Sequence, residues 1–155
     1  RQPVRVVLDT HLRCPPGAAL WEGAGPVWVA HPAGQELSPE LVARGALALP
    51  LPAGPGGLDL GALLDALGTR GCNEVLLEAG ATLAGQAVAQ GLVDELLLYL
   101  APRLLGADAR PALELCQVPT LEAHALELLE VLRVGDDIRV RARPRGATEL
   151  ACSPE

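Results

Sequence analysis

Apolar residues fall along the chain in two rhythms, one of period two and one near 3.6, and the switches between them mark the predicted elements. Val4 to Asp9 (VRVVLD) is a short β-branched run closed by an acid and predicts a strand. Val27 to Ala30 predicts a second strand and Ala46 to Leu49 a weaker third. Between the first two, Pro15, Pro16, Gly17, Gly23, Gly25 and Pro26 punctuate loops. Pro50 to Gly57 (PLPAGPGG) is the most linker-like stretch, and it reads as a surface loop because neither flank carries enough core to stand alone.

The period then changes. Asp59 stands where a helix cap belongs, and Leu60, Leu63, Leu64 and Leu67 keep the i, i+3, i+4, i+7 spacing until Gly68 or Gly71 closes the helix. Asn73 to Glu78 predicts a strand, Thr82 to Gln90 a second helix ended by Gly91, and Asp94 to Ala101 (DELLLYLA) a strand stopped by Pro102. That last strand is almost continuously apolar, as expected when both faces are covered. Strand, helix and strand within about 30 residues make a βαβ crossover, so these two strands are expected to be parallel and joined right-handedly. Leu126 to Val134 and Ile138 to Arg143 flank Gly135-Asp136-Asp137, a hairpin signal. In the second arm Ile138, Val140 and Ala142 face one way and Arg139, Arg141 and Arg143 the other. The arginine row fits a guard against aggregation, on the open face or edge of a hairpin, better than a phosphate site, because it lies far in sequence from the glycine turn described below. The expected fold class is α/β: a mixed, mostly parallel sheet flanked by helices, with a C-terminal antiparallel hairpin. Residues 1–144 read as one domain and 145–155 as a flexible tail.

Composition narrows the function classes. The chain has 155 residues and 50% hydrophobic content, enough for one domain with a real core. Its net charge of −7 argues against nucleic acid or an anionic membrane surface as partner. No apolar run approaches the roughly 20 residues of a membrane span. The opening RQPVRVV lacks a secretory pattern, so the expected location is cytoplasmic. It also lacks a starting Met, so the chain reads as a piece of a longer one. Cys14, Cys72, Cys116 and Cys152 form no C-x-x-C pair and read as free thiols. The three histidines form no H-E-x-x-H, so no metal site and no catalytic triad is expected.

The chemistry concentrates at Gly80-Ala81-Thr82-Leu83-Ala84-Gly85, which joins a predicted strand to a predicted helix. At the carboxyl end of a parallel strand, free N–H groups and the positive end of the helix dipole suit a phosphate. Small residues let a ligand approach the backbone, and the Thr82 hydroxyl can cap the helix or touch a phosphate oxygen. The turn is neither a P-loop nor G-x-G-x-x-G. A plain tight βα turn explains it as well. Glu78, at the exit of a run read as buried, favours the ligand reading, since a buried carboxylate needs a partner or a substrate.

The block from Glu78 to Arg110, EAGATLAGQAVAQGLVDELLLYLAPRLLGADAR, combines E-[AG]-G, L-A-G, G-L-V-D-E-L and A-P-[KR]-L-L-G. Upstream, RVVLDTHLR follows R-x-V-[IL]-D-[ST]-x-x-R. In this combination, from about Arg1 to Arg143, the chain closely resembles the reductase domain of the bifunctional deaminase/reductase of riboflavin biosynthesis. The resemblance implies a dihydrofolate-reductase-like fold and NADPH-dependent reduction of 5-amino-6-(5-phosphoribosylamino)uracil. It implies that Gly80, Ala81, Thr82, Leu83, Ala84, Gly85 and Gln86 cradle the NADP diphosphate, that Thr10 contacts NADP and that Glu78 contacts substrate. No catalytic acid or base is assigned, because the nicotinamide itself carries the hydride. A deaminase domain in the same parent chain and a homodimer are the partners implied. The family's opening K-x-[AG]-x-S-L-D-G strand, W-I-[ST] turn and D-D-P-x-L segment have no counterpart here, so the domain reads as N-terminally incomplete. The alternative is a catalytically incomplete fragment that serves only in self-association.

Overall fold

The computed structural model describes residues 2–115 and 125–145. Arg1–Val75 and Leu76–Glu155 form two compact units.

In the first unit, β1 (Arg5–Leu8), β2 (Val27–Pro32) and β3 (Ala46–Leu51) make a parallel sheet in the order β1-β2-β3. Val7 sits beside Val29, and Val29 beside Ala48. All three strands were expected, but β3 runs two residues further than its apolar run suggested. Pro50 lacks an N–H to donate, which an edge strand tolerates, and Leu51 beyond it is buried. What remains of the expected loop is a minimal hairpin of β4 (Ala53–Gly54) and β5 (Gly57–Leu58).

Between β2 and β3 lies α1 (Pro39–Ala43), which the periodicity did not reveal. Ser38 Oγ accepts from the Leu41 N–H at 3.3 Å, and Pro39 presets the first helical φ. Leu41 is buried with Val29, Leu37 and Ala46, and Leu12, Cys14 and Trp21 pack on this cluster. Burial of one such leucine contributes about 2 kcal/mol. Arg5 organises the β1–β2 connection, donating to the carbonyls of Leu20, Gly23 and Gly25.

Next comes α2 (Leu60–Thr69), with Leu60, Leu63 and Leu67 buried. Asp59 Oδ1 accepts from the Ala62 N–H at 2.9 Å, as its position implied. The helix closes with Cys72 N–H on the Leu67 carbonyl (3.1 Å) and Gly71 N–H on the Gly68 carbonyl (2.9 Å). This double bond set needs a left-handed residue, which Gly71 supplies at φ +82°.

The second unit contains α3 (Ala81–Ala89), β6 (Leu96–Leu100), β7 (Leu126–Val134) and β8 (Asp137–Pro144). The strands form an antiparallel sheet in the order β6-β8-β7. Gly91, at φ +68°, ends α3 as Gly71 ends α2, with Leu92 N–H on the Ala87 carbonyl. The hairpin turns at Gly135-Asp136, and a bulge lies between Leu128 and Glu130. The ladder sets Leu96, Leu98 and Leu100 beside Ala142, Val140 and Ile138, and Tyr99 and Leu97 beside Arg139 and Arg141. The apolar and arginine faces therefore separate as the alternation predicted.

The expected βαβ crossover is not formed. Asn73–Glu78 carries no ladder among the described residues, and Leu76 is 76% exposed. β6 pairs antiparallel with β8 instead. A strand is a pairing as much as a conformation, so an apolar run with no partner does not register as one. The expectation that both faces of β6 are covered also fails, since Leu97, Tyr99 and Leu100 are exposed. Arg145, assigned to the tail, still donates its N–H to the Ala125 carbonyl at 2.8 Å. Residues 146–155, the rest of that tail, and Cys116 and Cys152 lie outside the described residues. Cys14 and Cys72 are free thiols. Among the described residues no helix is long and apolar enough to cross a membrane.

Candidate functional site

The start of α3 is open where most helix starts are closed. Gly80 is its N-cap, with extended backbone (φ −69°, ψ 168°) and no side-chain cap. A Cβ placed on Gly80 would meet nothing within 4 Å. The N–H groups of Ala81, Thr82 and Leu83 have no acceptor within the helix, and the dipole adds its positive end there. This first turn can hold a small anion, such as one phosphate of a diphosphate.

The rest of the predicted cradle is built differently. Thr82 does not cap the helix: its hydroxyl donates to Glu114 Oε2 at 2.6 Å. The Glu114 N–H donates to the Ala81 carbonyl at 3.0 Å, so the 111–115 segment is fastened along the helix. Gly85 is buried beneath that segment, and a Cβ there would overlap the Glu114 carbonyl group. Its smallness serves packing. Gly80 alone is the open glycine of the turn. Leu83, Ala84 and Gln86 are half-buried residues of the helix. Glu114 was invisible to sequence reasoning, since it lies 32 residues from Thr82.

Glu78, two residues before the turn, is exposed, and among the described residues its carboxylate has no hydrogen bond or ion pair. Glu78 is exposed rather than set at the end of a buried strand, so no desolvation cost demands a partner for it. It stands within reach of solvent-borne ligands.

Thr10 belongs to the first unit, at the end of β1. Its neighbour Asp9 is buried, and its two carboxylate oxygens accept from the N–H groups of Arg13 (2.8 Å) and Cys14 (2.6 Å). Those bonds hold the 9–14 loop in a shape that puts Leu12 at φ +52°, an uncommon conformation for a bulky side chain. Across from Thr10, a Cβ on Gly57 would stand 3.1 Å from the Thr10 hydroxyl oxygen, so the β4–β5 hairpin closes on this residue. Asp9, an organiser of the loop, is the second residue that pattern reading missed. Its signals were its place as the acid that closes the β1 run and as the Asp of the R-x-V-[IL]-D-[ST]-x-x-R pattern.

Cys14 is not a nucleophile in waiting. Burial, and then the Asp9 carboxylate, push its thiol above the ordinary range and keep it protonated. Two arginines of the row, Arg139 and Arg141, are paired with carboxylates. Arg139 donates to Glu130 at 2.7 Å and Arg141 grips Glu95 through two bonds of 2.8 and 2.9 Å. Both pairings lie on β8, the central strand of its sheet, so these arginines guard no sheet edge.

Comparison with known proteins gives this geometry its context. The chain is 41% identical over 145 residues to the riboflavin biosynthesis protein RibD of Escherichia coli, covering 89% of this chain and 37% of that protein. It is 26% identical over 149 residues to the 5-amino-6-(5-phosphoribosylamino)uracil reductase of Buchnera aphidicola, covering 94% and 69%. The solved structure of Acinetobacter baumannii RibD superposes with a TM-score of 0.77 at 34% identity, over 92% of this chain and 38% of that one. The chain thus spans a little over a third of the RibD proteins it matches. Parallel strands followed by an antiparallel hairpin agree with the dihydrofolate-reductase-like fold expected. Residues 1–140 match the RibD C-terminal domain, and the chain belongs to that family.

Proposed function

We propose that residues 1–144 serve as the reductase domain of a bifunctional riboflavin-biosynthesis protein. The reaction is NADPH-dependent reduction of 5-amino-6-(5-phosphoribosylamino)uracil to its ribitylamino product, in the cytoplasm. The observation that carries this reading is the family match over residues 1–140, joined by relatives named for that pathway and that reductase.

The reaction needs little acid–base machinery from the chain. When bound, the nicotinamide supplies the hydride that converts the opened ribosylimine to an amine. The chain's own task is alignment, which is worth several kcal/mol of barrier when two ligands are held in register. In this reading the first turn of α3, from Gly80 to Leu83, binds the diphosphate through backbone N–H groups. Ala84, Gly85 and Gln86 back that turn. Thr10, held by the Asp9-organised loop, contacts the cofactor as well. Glu78 contacts substrate, where its charge favours a transient iminium. The uncapped helix start and the open space beside Gly80 support the assignment.

Fluorescence titration of the intact parent protein with NADPH and NADH tests the cofactor. Tighter binding of NADPH is expected, and equal affinities would sink the preference. NADPH oxidation with the phosphoribosylamino substrate tests the activity, and its absence in the intact protein would overturn the reading.

A second reading, self-association, rests on one observation: Leu97, Tyr99, Leu128 and Val131 are exposed on the β6–β8 sheet. It fits a homodimer of the enzyme or a catalytically incomplete fragment. Sedimentation of this chain separates a dimer from a monomer, and turnover by the same sample separates enzyme from fragment.

A further inference from the structure

We propose that Glu114 sets the affinity of the α3 turn for anionic ligands, as a side-chain latch that an incoming phosphate must displace. The inference rests on the reading that this turn holds the cofactor diphosphate.

Three contacts place the residue. The Glu114 N–H donates to the Ala81 carbonyl at 3.0 Å, and its own carbonyl lies against Gly85, where no side chain fits. The backbone of Glu114 is thereby pinned along the first two turns of α3. Its side chain is exposed and, among the described residues, held only at the tip, where Oε2 accepts from the Thr82 hydroxyl at 2.6 Å. The anchored part and the movable part are separate.

A carboxylate tied to the second residue of a helix is favourable while the turn is empty, because it faces the positive end of the dipole. A ligand phosphate at the same turn brings a second negative charge within a few ångströms of the first, and the two repel. Swinging the exposed side chain away relieves the repulsion. It also frees the Thr82 hydroxyl to donate to a phosphate oxygen. The backbone need not move, so the latch opens without remodelling α3. Glu114 in this account opposes ligands in proportion to the negative charge they place at the turn.

Glu114→Gln isolates the charge, since the amide oxygen still accepts from Thr82. NADPH titrations of the intact parent protein are expected to show binding tightened about three- to tenfold in this variant. The gain is expected to shrink as salt is raised. Glu114→Ala, which removes the side chain but keeps the pinned backbone, is expected to tighten binding as well. Inorganic pyrophosphate, used as a competitor of NADPH, should rank the proteins in the same order. Unchanged or weaker NADPH binding in both variants, with normal melting, overturns the proposal. Gly80→Asp tells the two readings apart. If it weakens NADPH binding while the Glu114 variants do nothing, the latch alone is wrong. If neither position affects NADPH, the turn does not hold the diphosphate and the latch falls with it.

Discussion

α2 and α3 are built to the same plan and differ at one end. They have 10 and 9 residues, and both stop at a left-handed glycine with the same pair of carbonyl-satisfying bonds. At the other end α2 is sealed by the Asp59 carboxylate, whereas α3 begins at a bare glycine. Their buried faces differ in the same sense. α2 buries three leucines, and α3 buries Gly85, Ala87 and Val88. One helix is finished for stability. The other leaves its start unsatisfied and its flank thin enough for the 111–115 backbone to lie against it. A helix that spends its capping position on nothing is the one whose first turn remains available to a ligand.

The contrast is broken most severely by truncating the α2 face. Leu67→Ala removes one of the most deeply buried side chains and is expected to cost about 2–5 kcal/mol, read as a lowered denaturation midpoint. A loss below about 1 kcal/mol would mean that α2 is not the well-packed member of the pair. Glycine-to-alanine changes then give opposite signs in the two helices. At Gly85 the added methyl overlaps the Glu114 carbonyl group, and about 1–3 kcal/mol of destabilisation is expected. At Gly68, inside α2 and with nothing within 4 Å, the same change is expected to stabilise by about 0.5–1 kcal/mol. Chemical denaturation of both variants decides it, and the same sign at both sites would remove the packing role of Gly85.

Exchanging the caps sharpens the comparison further. Gly80→Asp gives α3 the cap that α2 has, on backbone already in a capping conformation. Melting is expected to rise slightly while NADPH affinity falls tenfold or more, about 1.4 kcal/mol, because a fixed carboxylate occupies the anion's place. The reciprocal Asp59→Ala is expected to cost about 1 kcal/mol of stability and leave NADPH affinity alone. An Asp59 variant that altered cofactor binding at unchanged stability would erase the distinction between the two starts.

Much of this was legible in residue order, for local reasons. The spacing of Leu60, Leu63 and Leu67, the cap at Asp59 and the stop at Gly91 are each decided within a few residues and stand as read. The structure chooses Gly71 over Gly68 as the stop of α2 and shortens the Gly135-Asp136-Asp137 turn to its first two residues. α1 escaped because five residues are too few to show a period, although Ser38-Pro39-Glu40 is a helix-start signature. Asn73–Glu78 was read as a buried strand from its apolar character, but burial and pairing depend on neighbours that a local pattern does not contain. The burial argument for Glu78 failed with it. The turn at Gly80 was found, yet the division of labour between an open Gly80 and a covered Gly85 depends on Glu114, whose approach no spacing rule encodes.

The smallest expected effect separates the two units by what holds their sheets. The first unit rests on a buried cluster around Val29 and Leu41, whose buried members are all apolar. The sheet of the second unit is laced on one face by Arg139–Glu130 and by Arg141–Glu95. The hydrogen bonds from Arg141, more than any other influence, hold the Glu95 carboxyl below its ordinary value of 4.5. A group whose folded value is lowered lends stability above its unfolded value and loses it as pH falls through the folded one. The contribution of Glu95 is therefore expected to be intact at neutral pH and to fade on acidification below about pH 4.5. Both side chains are about 40% exposed, so water and salt screen the pair and the effect is small. Glu95→Gln is expected to melt slightly below the unaltered protein at neutral pH and low salt, and to match it in acid or in high salt. A deficit that persisted unchanged at acid pH would show that Glu95 supports β6 by packing, and that the second sheet is no more dependent on charge than the first.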